Sequence, residues 1–150
     1  MLKIGQKAPA FKLKNQNGKL IKSSDLKGKN IVLYFYPKDL TPGCTIEACD
    51  FNENLARIKK KNTVVLGVSF DNEKKHQKFI DKYDLGFDLL VDDTKEIAKK
   101  YEIYKPMKFM GKEFLGIVRS TFVIDKQGKI KKIFSPVKVK GHVDEVINEL

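Results

Sequence analysis

Two apolar runs, Ile31-Val32-Leu33-Tyr34-Phe35 and Val64-Val65-Leu66-Gly67-Val68, constrain this chain more than any other feature. A strand that is apolar at successive positions buries both of its faces, and a sheet buried on both faces carries helices above and below it. The first run reads as a central strand over Asn30 to Tyr36 that Pro37 ends, and the second as a strand over Thr63 to Phe70. A helix of about 18 residues opens near Thr41 and runs to the Lys59–Lys61 cluster, where cations suit its carboxyl end. Asp71-Asn72 caps a second helix over Glu73 to Tyr83, Leu89-Leu90-Val91 is a short strand, and Thr94 to Tyr101 is helical.

The remaining elements complete an α/β order. Asn15-Gln16-Asn17-Gly18 is a hairpin turn between Phe11-Lys12-Leu13 and Lys19-Leu20-Ile21. Arg119 to Asp125 and Lys129 to Phe134 form a second hairpin, and a last helix starts near His142. The expected fold is a central mixed sheet flanked by helices, with an N-terminal β-hairpin. At 150 residues the chain suits one domain spanning 1–150, and 41% hydrophobic residues argue for a folded core. The amino terminus turns polar at once and no stretch approaches the ~20 apolar residues of a membrane span, so a soluble cytoplasmic protein without membrane partners is expected.

The formal charge of +11 invites a nucleic-acid reading. The lysines are spread in pairs and short runs over prospective surfaces, however, and only Arg57 and Arg119 are arginine, few for a phosphate or base reader. A solvated lysine surface and no nucleic-acid partner is the expectation. Each arginine then becomes worth placing.

Both cysteines lie in Thr41-Pro42-Gly43-Cys44-Thr45-Ile46-Glu47-Ala48-Cys49. In a reducing cytosol they are better suited to reactivity than to a structural staple. Thr41 is a good N-cap and Pro42 suits the first helical position, so Cys44 falls at N3. A sulfur there faces unpaired N–H groups and the positive end of the helix dipole, a setting that favours thiolates. The Thr41 hydroxyl is expected close enough to donate to that sulfur or to an approaching oxygen, and Gly43 leaves room for the approach. Cys44, Ala48, Phe51, Leu55 and Ile58 form a core-facing stripe, with Cys49 off its centre. Five residues of helix rise ~7.5 Å, beyond the ~7 Å Cα separation that a disulfide tolerates, so pairing requires the first turns to unwind. Two small buried thiols and a dithiol exchange centre both remain open on these residues, although the latter more usually places its cysteines as CxxC at the helix start. Metal binding is not expected, because two cysteines at this spacing with distant His76 and His142 make no tetrahedral set. Both histidines are expected to be bystanders, His76 on an exposed helix face and His142 at a helix start. Phe109, Met110, Phe114 and Leu115 are expected to take part in ordinary packing.

The segment Pro37-Lys38-Asp39-Leu40-Thr41-Pro42-Gly43-Cys44 resembles the P-x-x-x-[TS]-x-x-C signature of the peroxiredoxins. Cys44 to Cys49 is similar to the bacterioferritin comigratory protein or peroxiredoxin Q subfamily, and the likeness extends through Gly5 to Phe11 and Gly116 to Asp125. Lys105 to Gly111 departs from the sequence common there, which concerns loop shape and peroxide preference. The resemblance implies a thioredoxin-like fold and a thiol-dependent peroxidase needing no cofactor. It implies Cys44 as the peroxidatic thiolate, Thr41 as the hydroxyl that orients peroxide, Pro37 as a shield from water and Arg119 as the cation beside the sulfur. Glu47, one turn beyond Cys44, could brace Arg119 or simply face solvent. Cys49 matches the resolving cysteine, with a thioredoxin-type dithiol as reductant and a monomer as the working form. The alternatives are a thiol–disulfide oxidoreductase on the same fold and a basic nucleic-acid or scaffold-binding module.

Overall fold

A computed structural model describes residues 2–150, with the side chain of Phe109 outside the described residues. In chain order the elements are β1 (Lys12–Lys14), β2 (Leu20–Lys22), β3 (Asn30–Phe35), α1 (Pro42–Glu53), α2 (Leu55–Lys60), β4 (Thr63–Ser69) and α3 (Glu73–Tyr83). They continue with β5 (Asp88–Val91), α4 (Glu96–Lys100), β6 (Tyr104–Phe109), β7 (Lys112–Ile117), β8 (Ser120–Ile124), β9 (Ile130–Phe134) and α5 (His142–Asn148). A seven-stranded sheet has the order β2-β1-β5-β4-β3-β8-β9. Its centre, β5-β4-β3, is parallel, and β1, β2, β8 and β9 extend it in antiparallel pairing.

The alternation within β3 explains why its run is unbroken. Val32, Tyr34 and Tyr36 enter the core that α1, α2, α3 and α5 cover, whereas Ile31, Leu33 and Phe35 enter the one beneath α4. Leu33, Tyr34 and Phe35 are fully buried, and burying an apolar side chain of this size contributes about 1.5–3 kcal/mol. The central strand is therefore clamped from both faces, and its carboxyl end is a fixed point from which α1 departs. Among the described residues no helix is long and apolar enough to cross a membrane.

Three features differ from the sequence expectation. The helix after β3 is interrupted at Asn54, whose side-chain amide donates to the carbonyl of Asp50 at 2.8 Å. That local bond competes with the backbone ladder, as asparagine side chains do. Cys44, Ala48, Phe51, Leu55 and Ile58 are nonetheless all buried. Residues 104–117 form an antiparallel ribbon apart from the main sheet, turning through Met110 and Gly111 with φ of 52° and 80°. Met110, Phe114 and Leu115 consequently stand exposed, while Phe109's side chain lies outside the described residues. Finally, His76 is not on an exposed helix face but fully buried. It takes the first position of the stripe His76, Phe79, Ile80 and Tyr83 that turns α3 toward the sheet.

Candidate active site

The connection from β3 to α1 leads into the helix that carries both cysteines. Pro37 and Lys38 are exposed, Asp39 is buried, and Leu40 turns through the left-handed region at φ 64°. Thr41 is the N-cap and Pro42 the first helical residue, which puts Cys44 in the first turn, 1% exposed. The expected side-chain cap is absent. Thr41 Oγ1 instead donates to the carbonyl of Lys38 at 2.7 Å, while the Thr41 carbonyl accepts from Thr45 N–H at 2.9 Å. The Thr41 hydroxyl therefore leaves the first turn of α1 without a side-chain cap.

Arg119 approaches from the junction of β7 and β8, its own carbonyl held by Val137 N–H at 2.8 Å. Its Nη2 stands 3.4 Å from Cys44 Sγ and its Nη1 donates to Glu47 Oε1 at 2.8 Å. Burial works against the charge on Arg119, yet Cys44 and Glu47 outweigh it and hold the guanidinium more firmly protonated than an ordinary arginine. Gly43 lies directly beneath: a Cβ there would meet Nη2 at 3.1 Å. The space opposite Gly43 is thus filled by Arg119.

Glu47 does not face solvent. Its side chain is fully buried, and burial pushes its carboxyl up to about 7 against the opposing pull of Arg119. Oε2 of Glu47 and the hydroxyl of Tyr34 are buried without a hydrogen-bond partner among the described residues. Burial, followed by the nearby charges of Glu47 and Cys44, keeps the Tyr34 phenol protonated, so it remains a donor beside the site. Tyr34 also stacks on Phe51 at 4.7 Å. On the far side, His142 Nε2 lies 2.7 Å from Thr121 Oγ1, and burial together with Arg119 lowers its pKa to about 4, leaving a neutral ring.

The structure therefore brings Cys44, Arg119 and Glu47 into direct contact. Thr41 starts the same helix with its hydroxyl turned to Lys38, and Pro37 lies exposed at the other end of the connection. Cys49 sits within unbroken α1, partly exposed, and both cysteines are free. Burial, then Glu53 and Asp50, push the Cys49 thiol up. One thiol faces a cation and the other faces acids, so they are chemically unequal. The sequence reading passed over Tyr34, hidden in an apolar run, and over the partners of both histidines. The spacing of His76 to Phe79, Ile80 and Tyr83 was the available signal for a buried His76.

A buried cysteine at a helix N-terminus, paired with a guanidinium on a mixed α/β sheet, defines a thiol enzyme poised to attack an electron-poor atom. The AhpC/TSA family model matches residues 4–133. Peroxiredoxin Bcp of Bacillus subtilis is 51% identical over 149 residues, covering 99% of this chain and 95% of that protein, and peroxiredoxin Bcp of Escherichia coli is 40% identical with 99% and 96% covered. Among solved structures, the bacterioferritin comigratory protein of Xanthomonas campestris, captured in intermediate and ligand complexes bearing on its alkyl peroxide reduction, superposes with TM-score 0.91 at 35% identity, covering 97% of this chain and 96% of that one. A cysteine variant of peroxiredoxin Q from Xylella fastidiosa gives TM-score 0.94 at 34% identity, with 99% and 95% covered. The chain belongs to the AhpC/TSA family, in its peroxiredoxin Bcp and Q branch, has the thioredoxin-like fold of these relatives, and is a thiol-dependent peroxidase.

Proposed function

We propose that the chain reduces hydrogen peroxide and organic hydroperoxides through Cys44 and resolves the product with Cys49. The observation that carries this reading is the 3.4 Å contact of Arg119 with the sulfur of Cys44 in the first turn of α1. The Cys44 thiolate attacks the terminal peroxide oxygen and the O–O bond breaks. The leaving oxygen takes a proton and departs as water or alcohol, and the sulfur, oxidised by two electrons, becomes a sulfenic acid. Arg119 and the first-turn N–H groups stabilise the negative charge that develops on the oxygens, with little reorganisation because Glu47 already holds the guanidinium. Thr41 has committed its hydrogen to Lys38, so its oxygen orients the peroxide by accepting the peroxide O–H. Pro37 screens the outer end of the connection from water.

Cys49 then attacks the sulfenic sulfur, expels water and forms the Cys44–Cys49 disulfide, which requires the first turns of α1 to open. A thioredoxin-type dithiol returns two electrons and two protons and frees both thiols. Because the resolving thiol lies in the same helix, the cycle needs no second copy, and we assign it to a monomer acting as one domain over residues 1–150. A cycle that returns to free thiols suits a reducing cytoplasm. Cys44→Ser is expected to abolish peroxide turnover with a thioredoxin-type reductant; substantial turnover in that variant rejects the assignment. A disulfide oxidoreductase would instead leave the reduced protein unchanged by peroxide.

A further inference from the structure

The buried pair Asp39 and His76 lies outside the groups assigned above, yet Asp39 belongs to the very connection that delivers Cys44. The two residues are 5% and 0% exposed. His76 Nε2 stands 2.9 Å from the carbonyl oxygen of Leu90, and Nδ1 stands 2.5 Å from Asp39 Oδ2. A carbonyl oxygen only accepts, so Nε2 carries a hydrogen, and Nδ1 and Oδ2 share one further proton. Tyr36 donates its hydroxyl to Asp39 Oδ1 at 2.5 Å. The Asp39 N–H donates to Asp71 Oδ2 at 2.8 Å, an oxygen that also accepts from Ser69 Oγ at 2.7 Å. One aspartate is thereby tied to the end of β3, to α3 and to the turn after β4, and through His76 to β5.

Leu40 follows immediately, with φ 64° and 40% exposure. A bulky residue persists in the left-handed region only where its surroundings over-determine it. Packing of so exposed a side chain does not supply that constraint. The fixed points are Asp39 on one side and the first turn of α1 on the other.

We propose that Asp39 and His76 are positioning residues for the peroxidase reaction: the buried chain Tyr36–Asp39–His76 locks the Leu40 turn and so registers Thr41 and Cys44 against Arg119. The inference rests on the peroxidase reading. Misplacement of reacting groups by about 1 Å costs up to about 10²-fold in rate, which gives the scale of the expected effect.

The test is the rate of Cys44 oxidation by hydrogen peroxide, read in single turnover on the full chain, with Tm recorded beside it. Asp39→Ala and His76→Phe are expected to slow oxidation about 10- to 100-fold at temperatures where both are folded. Asp39→Asn is expected to recover most of the rate, since its amide N–H donates to Nδ1 of a neutral imidazole and its oxygen still accepts from Tyr36. Should Asp39→Ala or His76→Phe fail to fold, Tyr36→Phe decides, with an expected slowing of about 3- to 10-fold. Lower Tm with oxidation still within about twofold of the wild-type rate overturns the proposal, as does an Asp39→Asn variant as slow as Asp39→Ala. Failure of the underlying reading shows separately, as a wild-type protein whose Cys44 peroxide does not oxidise.

Discussion

Arg119 bridges two residues one helical turn apart, with Nη2 3.4 Å from Cys44 Sγ and Nη1 2.8 Å from Glu47 Oε1. The planar fork of a guanidinium aims separate fixed N–H groups at both partners at once, a geometry that the compact lysine ammonium does not reproduce. Arg119→Met is therefore expected to slow Cys44 oxidation by about 10²-fold, and Arg119→Lys to restore little of it. Stopped-flow oxidation of the reduced variants reads this directly, and rates equal to wild type would remove Arg119 from the site.

Gly43 supplies the clearance beneath that fork. A Cβ at this position meets Arg119 Nη2 at 3.1 Å, and the guanidinium has little freedom to move because Glu47 and Cys44 hold it. Gly43→Ala is expected to slow oxidation about 3- to 10-fold while leaving the helix intact. An unchanged rate would mean that the guanidinium yields without consequence for the chemistry.

Two buried groups near Arg119 give opposing dependence of stability on pH. Burial raises Glu47 from 4.5 to about 7, so between these values the folded protein holds a proton that the unfolded chain has released. The stabilisation from this group is complete below pH 4.5 and is lost as pH rises through 7. His142 is lowered from 6.5 to about 4, so there the unfolded chain binds the extra proton and stability falls as pH drops from 6.5 toward 4. Each group accounts for up to about 3 kcal/mol, and in the wild type the two slopes largely offset each other where the windows overlap. Glu47→Gln removes one of them, so urea midpoints measured from about pH 4 to 8 should show a variant that weakens on acidification more steeply than wild type. Parallel curves for the two proteins would contradict the assignment.

Glu47 also gives the reaction a titration of its own. Its proton leaves near pH 7, and the new carboxylate charge shares Arg119 with the sulfur. The pH profile of Cys44 oxidation should contain an inflection near 7 that Glu47→Gln eliminates.

The sheet was legible in the sequence because β3 and β4 bury both faces, so their apolar runs stand out from any amphipathic pattern. Cys44 was legible because Thr-Pro-Gly fixes the start of a helix by local backbone preferences alone. The hydroxyl of Thr41 was not, since its choice of the Lys38 carbonyl depends on the turn at Leu40. The break at Asn54 arises from a side-chain bond that competes with an otherwise good helical pattern. The ribbon β6–β7 was missed because its turn uses Met110-Gly111 in place of the usual Asn-Gly. Glu47 pairs with Arg119 72 residues away, and the side chains of Asp39 and His76 pair with each other across 37 residues. Pairings over such distances leave no local trace.

The central claim is that Cys44 and Cys49, five positions apart in an intact α1, form a peroxide-driven cycle within one chain. The most direct measurement adds one equivalent of hydrogen peroxide to the fully reduced protein and records free thiols and intact mass within seconds. The account predicts loss of both thiols and of two hydrogens from the monomer mass, with a peptide that links Cys44 to Cys49. Two retained thiols and an unchanged mass would contradict it.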